Sequence, residues 1–274
     1  MDTIQKKIQY LLNLFKSKDL LKAELFGKEL INTHPNNVIL YNILGLILTY
    51  QGKTDEAIEC YENGIKIKPD FAMFYNNLGS IYKSKENYTK AKNYYKKSID
   101  LDSKIPETQN NLGNLYISLN EYNRAIVCYK NALNINPKFF TCHYNMGVVY
   151  KTIGKFEKAK KHLKRAVQLN KHFYIAHRTL SQLTKYTINN DHFNSLKKLY
   201  EDTKILDINK KEIAFALGKA SDDIKDFSKA FKYYSEGNNL HRKDIVFSIK
   251  NEKKEFNNIK DRNLATQVRN YGAE

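Results

Sequence analysis

Apolar and polar positions along this chain follow a helical period, and the helical runs come in pairs. The spacing predicts amphipathic helices over about 39–50 and 54–67, joined by a short turn. Gly52 suits a left-handed residue in that turn, and Pro69 ends the second helix. The pair then recurs. Leu44-Gly45, Leu78-Gly79, Leu112-Gly113 and Met146-Gly147 lie 34 residues apart. Twelve residues after each Gly comes Ala57, Ala91, Ala125 and Ala159; four further on come Tyr61, Tyr95, Tyr129 and Leu163. Leu48, Tyr82, Tyr116 and Tyr150 hold the phase, as do Pro35, Pro69 and Pro137. Small residues at Gly45 and Ala57 imply helices crossing closely, with Leu44 and Tyr61 filling the space beside the crossing. One pair cannot bury its apolar faces alone, so the pairs must stack into a solenoid with a concave groove.

Full-phase units begin at Val38, Ala72, Pro106 and Phe140, and a poorer one begins near Ile4, with Leu11 where Gly is expected. Over 174–210 the Gly and Ala marks are lost, although Tyr174, Leu180, Leu183, Phe193, Leu196 and Leu199 keep helical spacing. Three extra residues enter there, and Asn189-Asn190-Asp191 reads as a turn and helix cap. The marks return at Leu217-Gly218, Ala230 and Tyr234. Ile245, Phe247, Ile249, Phe256 and Ile259 suggest one more helix over about 244–260, the cap that terminal repeats need.

These residues resemble the tetratricopeptide repeat (TPR) family, whose 34-residue unit carries Leu-Gly at positions 7–8, Tyr at 11, Ala at 20, an aromatic at 24 and Pro at 32. The resemblance covers about residues 4–173 in strict phase. It implies an all-α TPR solenoid, a right-handed superhelix of antiparallel helix pairs, with about seven units and a C-terminal capping helix. The expected divisions are five units over 1–173 (4–37, 38–71, 72–105, 106–139, 140–173), a degenerate pair over 174–210, a seventh unit over 211–243, and cap and tail over 244–274.

A narrower resemblance lies in Phe215-Ala216-Leu217-Gly218-Lys219-Ala220, Asp226-Phe227, Phe231-Lys232-Tyr233-Tyr234 and Gly237-Asn238-Asn239-Leu240-His241-Arg242-Lys243. It is similar to the TPR region preceding a sulfotransferase domain in some bacterial proteins. The Gly-Ser/Thr-rich phosphate loop of such a domain does not occur in the sequence, so the resemblance implies a truncated or split relative without the catalytic domain.

Charge complicates this picture. The chain carries 46 Lys+Arg against 29 Asp+Glu, a formal +17, which invites a nucleic-acid reading. Only 6 of the basic residues are Arg, however. Phosphate and base-edge recognition favours the Arg fork, whereas abundant Lys, Asn, Ile and Tyr fit an A/T-rich coding sequence. The densest basic stretch is Lys151–Arg178, with nine basic residues and only Glu157 opposing them. Lys158, Lys161, Lys164 and Arg165 there belong to a second helix, whose polar side is expected to face solvent. The longest apolar run, Val38–Tyr50, is far short of the ~20 residues a bilayer needs, and three Cys cannot build a disulfide framework. The chain is therefore read as cytoplasmic.

Catalytic patterns are missing from the sequence. There is no G-x-x-x-x-G-K-[ST], G-x-G-x-x-G, C-x-x-C or G-x-S-x-G. Cys60 and Cys128 share a repeat position and read as core. His172 and His177 read as packing or surface residues rather than zinc ligands, and Asp222, Asp223 and Asp226 as an acidic helix end. The reading is no enzyme, no cofactor and no metal.

In the family, the first helix of each unit lines the groove at positions 2, 5, 6, 9, 12 and 13. Here those positions supply Asn42, Asn76, Asn110 and Tyr144 (position 5), then Asn77, Asn111 and Asn145 (position 6), with Asn114, Lys83 and Lys151 beyond. An Asn ladder can hold an extended peptide backbone, since each amide both donates and accepts; equally, it can tie neighbouring repeats together. A carboxylate clamp for acidic tails is disfavoured, because Glu107 sits where a cation would be wanted. The primary reading is a non-catalytic scaffold binding a protein or extended peptide in the groove. The alternatives are the substrate-recruiting half of a split sulfotransferase, and binding of nucleic acid or an acidic protein by the 151–178 surface; no membrane partner is implied.

Overall fold

The computed structural model describes residues 3–243, which form fourteen α-helices and, among the described residues, no strand. In chain order the pairs are α1 (Ile4–Lys16) with α2 (Leu20–Thr33), α3 (Val38–Tyr50) with α4 (Thr54–Ile67), α5 (Ala72–Ser84) with α6 (Tyr88–Leu101), and α7 (Pro106–Ser118) with α8 (Tyr122–Ile135). Then come α9 (Phe140–Thr152), α10 (Phe156–Leu169), α11 (Tyr174–Leu183), α12 (Asp191–Tyr200) and α13 (Asp207–Asp223). A further helix, α14, covers 227–243. The chain groups into two compact units, 1–149 and 150 onward. The expected capping helix and tail over 244–274 lie outside the described residues.

Within the first unit, two devices are repeated. The first is the turn between paired helices. Gly52 is left-handed (φ 76°), its N–H donates to the Thr49 carbonyl at 3.1 Å, and Lys53 N–H donates to the Leu48 carbonyl at 3.0 Å. This double bond closes the helix C-terminus. The same turn recurs 34 residues either side at Lys18 (φ 62°) and Glu86 (φ 57°), and again at Asn120 (φ 58°). The second device is steric. A Cβ on Gly45 would stand 2.4 Å from the Tyr61 ring, and one on Gly113 2.6 Å from Tyr129. The ring of the second helix therefore occupies the space a side chain would need on the first. Tyr61, Tyr95 and Tyr129 are 0%, 1% and 1% exposed. Ala57, Ala91 and Ala125 are fully buried.

Successive pairs then share a core. Tyr61, Leu44 and Ala57 of α3–α4 pack with Phe74, Leu78 and Ile81 of α5, and Leu11, Ala23 and Leu30 of α1–α2 pack with Leu40, Ile43 and Ile47 of α3. The three cysteines are buried, and burial pushes the Cys60 and Cys142 thiols up to about 12 and Cys128 to about 11, which keeps them protonated and unreactive.

In the second unit, α10 follows a left-handed Gly154 turn (φ 74°), and the α13–α14 pair restores both devices, with Lys225 left-handed (φ 64°) and Gly218 against the Tyr234 ring. The degenerate stretch between them departs. Its helices have only 10 residues each, and α11 packs against α10 and α13, as α12 does against α13. The connection from Thr184 to Asn190 is tied to α13: Asp223 accepts from the Tyr186 N–H at 2.9 Å, and the Lys219 ammonium donates to the Thr184 carbonyl at 2.9 Å. Asn190 caps α12, accepting from the His192 and Phe193 N–H groups. Tyr186, Phe193 and Leu196 fill a core with Ile213, Ala216 and Leu217.

Candidate peptide groove

The Asn residues form a ladder between repeats. Asn77 donates to Asn42 at 2.8 Å, Asn111 to Asn76 at 3.0 Å, and Asn145 to Asn110 at 3.0 Å. Each rung runs from position 6 of one repeat to position 5 of the repeat before. Asn76, Asn77 and Asn110 are only 4%, 8% and 7% exposed, and Asn76 also donates to Asn77. Of the two roles open to these amides, connecting neighbours is the one the geometry displays. In a site of low dielectric such bonds are strong, and unmaking one is costly.

The remaining groove positions converge on one concavity of about 360 Å³ in the first unit, where α5 supplies Lys83, α7 supplies Asn114, and α9 supplies Tyr144, Asn145 and Val148. All five are half-buried. Asn114 is fixed from behind, since its Oδ1 accepts from the Tyr129 hydroxyl at 2.7 Å and from Asn145 Nδ2 at 3.1 Å. Burial raises the Tyr129 hydroxyl far above its ordinary range, so it stays a donor. With its Oδ1 so engaged, Asn114 is left with its amide N–H to donate. The wall thus combines an ammonium, amide groups, a phenol and an aliphatic side chain. Sequence reasoning passed over Ile117 and Ser118, which also line it; Ile117 occupies the same repeat position as Lys83 and Lys151, and that was the available signal. Lys151 lies in the second unit and hydrogen-bonds Gln182.

Lys158, Lys161 and Arg165 are exposed on α10, whereas Lys164, exposed too, borders a cavity beside α12. His177 is buried, as a packing role requires, but against a partner the sequence did not suggest, His192, 2.9 Å away. Asp223 pairs with Lys219, and Asp226 with Lys229 at 2.7 Å. No helix among the described residues is long and apolar enough to cross a membrane.

The helix pairs, their left-handed turns and their Gly–aromatic crossings define an all-α tetratricopeptide solenoid. Models of the TPR repeat match residues 45–85 and 113–154, and models of the tetratricopeptide repeat match 73–105 and 140–173, so the chain carries TPR repeats over these stretches. Among solved structures, the APC/C hetero-tetramer Cut9–Hcn1 is similar with a TM-score of 0.61 and 15% identity, over 84% of this chain and 42% of that one. TTC0263, a thermophilic TPR protein of Thermus thermophilus, is similar with a TM-score of 0.59 and 14% identity, over 66% of this chain and 98% of that one. Pseudomonas aeruginosa pilF follows at 0.58 and 17%, over 75% and 97%. At these identities the likeness concerns the fold alone. No curated protein matches the sequence.

Proposed function

We propose that this chain is a non-catalytic TPR scaffold of the cytoplasm that captures an extended segment of another protein on the first-helix surface of its repeats, within the divisions drawn from the sequence. The observation that carries the reading is the convergence of Lys83, Asn114, Tyr144, Asn145 and Val148, from three successive first helices, on one concavity. Asn114 offers its amide N–H and Asn145 its amide oxygen to a peptide backbone, Tyr144 and Val148 offer apolar contact, and Lys83 selects for an acidic group. The inter-repeat bonds of Asn42, Asn76, Asn77, Asn110 and Asn111 hold that wall in place rather than touch the peptide. The sulfotransferase-associated reading rests on sequence resemblance alone, and the groove takes precedence over it. Peptides selected from a random display library against the purified chain test this. Their affinity falls at least about tenfold, about 1.4 kcal/mol, in a Lys83→Glu, Tyr144→Ala variant and is unchanged by Lys130→Glu on an exposed face of α8. Equal binding to all three proteins would discard the groove.

A further inference from the structure

A second cavity, of about 580 Å³, opens in the second unit between α10 and α12. The repeat pattern fails in this stretch. In the regular repeats the tyrosine of the second helix fills the space over the glycine of the first, as Tyr61 does over Gly45; the short α11 and α12 hold no such lock.

The cavity has a layered chemistry. Lys164, Lys171 and Lys198 stand on its walls. Among the described residues none of them forms an ion pair, and Glu157, which feels the Lys164 charge, is bound to Lys160 at 2.8 Å. Asp191 is the acidic group on the wall. Val167, Leu180 and Leu199 make an apolar floor, with Gln168 and Ser195 as polar points above it.

His177 and His192 close the base. His177 Nε2 lies 3.0 Å from the Lys171 carbonyl, which only accepts, so the proton sits on Nε2 and Nδ1 is an acceptor. His192 Nε2, 2.9 Å away, must then donate to it, and His192 Nδ1 accepts from the Tyr186 hydroxyl at 2.7 Å. The two rings stack at 5.1 Å. Each imidazole nitrogen is used with both rings neutral. Burial lowers His177 to about 4 and His192 to about 3, the latter with help from the His177 and Lys164 charges. The positive field of the cavity therefore comes from the lysines alone.

We propose that this cavity binds a small phosphate monoester, its phosphate among Lys164, Lys171 and Lys198 and its apolar or aromatic body over Leu180 and Leu199. A phosphate monoester carries nearly two negative charges at neutral pH, so three ammonium point charges match it better than a monoanionic carboxylate. Neither Arg165 nor Arg178 lines the cavity, and Arg178 is bound to Glu212 at 3.0 Å. The volume falls in the ~300–1,000 Å³ range of small-molecule sites, and the apolar floor asks for more than the bare ion. The first N–H groups of α12 are taken by Asn190, so the lysines, not the helix end, hold the anion.

Calorimetric titration of the full chain with phenyl phosphate, inorganic phosphate and benzoate tests the assignment. Phenyl phosphate is expected to saturate one site and to bind at least about tenfold tighter than either other ligand. A Lys164→Gln, Lys198→Gln variant loses at least about tenfold in affinity, while Lys158→Gln, Lys161→Gln on the exposed side of α10 does not. On the native chain, the ring resonances of His177 and His192 shift with phenyl phosphate. No saturable binding, equal binding of benzoate or inorganic phosphate, or equal losses in both lysine pairs would overturn the proposal.

Discussion

Gly45→Ala is a sharp test of the repeat lock. In an exposed helix interior the change stabilises by about 1 kcal/mol, because Ala is the better helix former. Here the new Cβ lies 2.4, 2.5 and 2.8 Å from three atoms of the Tyr61 ring, against ordinary carbon contacts of about 3.5–4.0 Å. Tyr61 is 0% exposed and cannot swing away. Overpacking of this kind costs about 1–3 kcal/mol or more. The overlap exceeds 1 Å, roughly, so the upper part of that range applies and the net change is a loss of about 1–2 kcal/mol. Gly27→Ala, inside α2, is the control. Its nearest atom is the tip of Leu44 at 3.3 Å, which yields by a small rotation, and the net effect is about neutral or stabilising. Urea unfolding followed by circular dichroism reads both. Repeating Gly45→Ala in a Tyr61→Leu background should cut its cost by about 1 kcal/mol, a coupling that neighbours show and distant sites do not. Gly45→Ala as stable as the native chain, or equally costly in both backgrounds, would refute the lock.

Further outcomes follow from the polar groups. Asn111→Ala strands the buried Asn76 Oδ1 and costs about 1–3 kcal/mol in urea unfolding. Tyr61→Phe is close to neutral, because the Tyr61 hydroxyl is buried without a hydrogen-bond partner; Tyr129→Phe, which removes the bond to Asn114, costs about 1 kcal/mol and weakens peptide capture. His177 and His192 are held neutral in the fold. The unfolded chain therefore binds more protons between its ordinary histidine pKa, about 6.5, and about pH 4. Stability of the second unit is full above that window and falls as pH drops through it, by about 3 kcal/mol for each histidine. A His177→Leu, His192→Phe variant should flatten the dependence in urea midpoints measured across pH.

The helix pairs were legible because their geometry dictates residue identity. Only Gly fits under Tyr61, Tyr95 or Tyr129, and such a demand leaves a mark every 34 residues. The turns were half legible: Gly52 announced its left-handed residue, but Lys18, Glu86 and Asn120 adopt the same φ without glycine and accept the strain, since the double hydrogen bond after each helix requires it. The Asn ladder was visible as a pattern, and its direction was not. Positions 5 and 6 are neighbours on a helix, and whether an amide faces the groove or the previous repeat depends on how closely the first helices stack. Spacing does not encode that distance. His192 and Tyr186 were missed because the three-residue insertion shifts the phase, and nothing local marks them as partners of His177.

That insertion explains why chemistry beyond the groove gathers in one place. A regular pair has no room between its helices, because the tyrosine consumes it. Opening the sixth pair removes an aromatic lock and would ordinarily invite collapse or leave buried polar groups unpaired. The buried histidines escape this, because the polar groups around them satisfy one another. Tyr186, His192, His177 and the Lys171 carbonyl form a closed chain of donors and acceptors. Asp223 and Lys219 tie the connection to α13. A network satisfied in full rigidifies its surroundings, whereas one missing member makes it a liability. The network therefore depends on the neutral state of both histidines, and acidification that protonates a ring should break it and loosen the sixth pair before the regular repeats of the first unit lose structure.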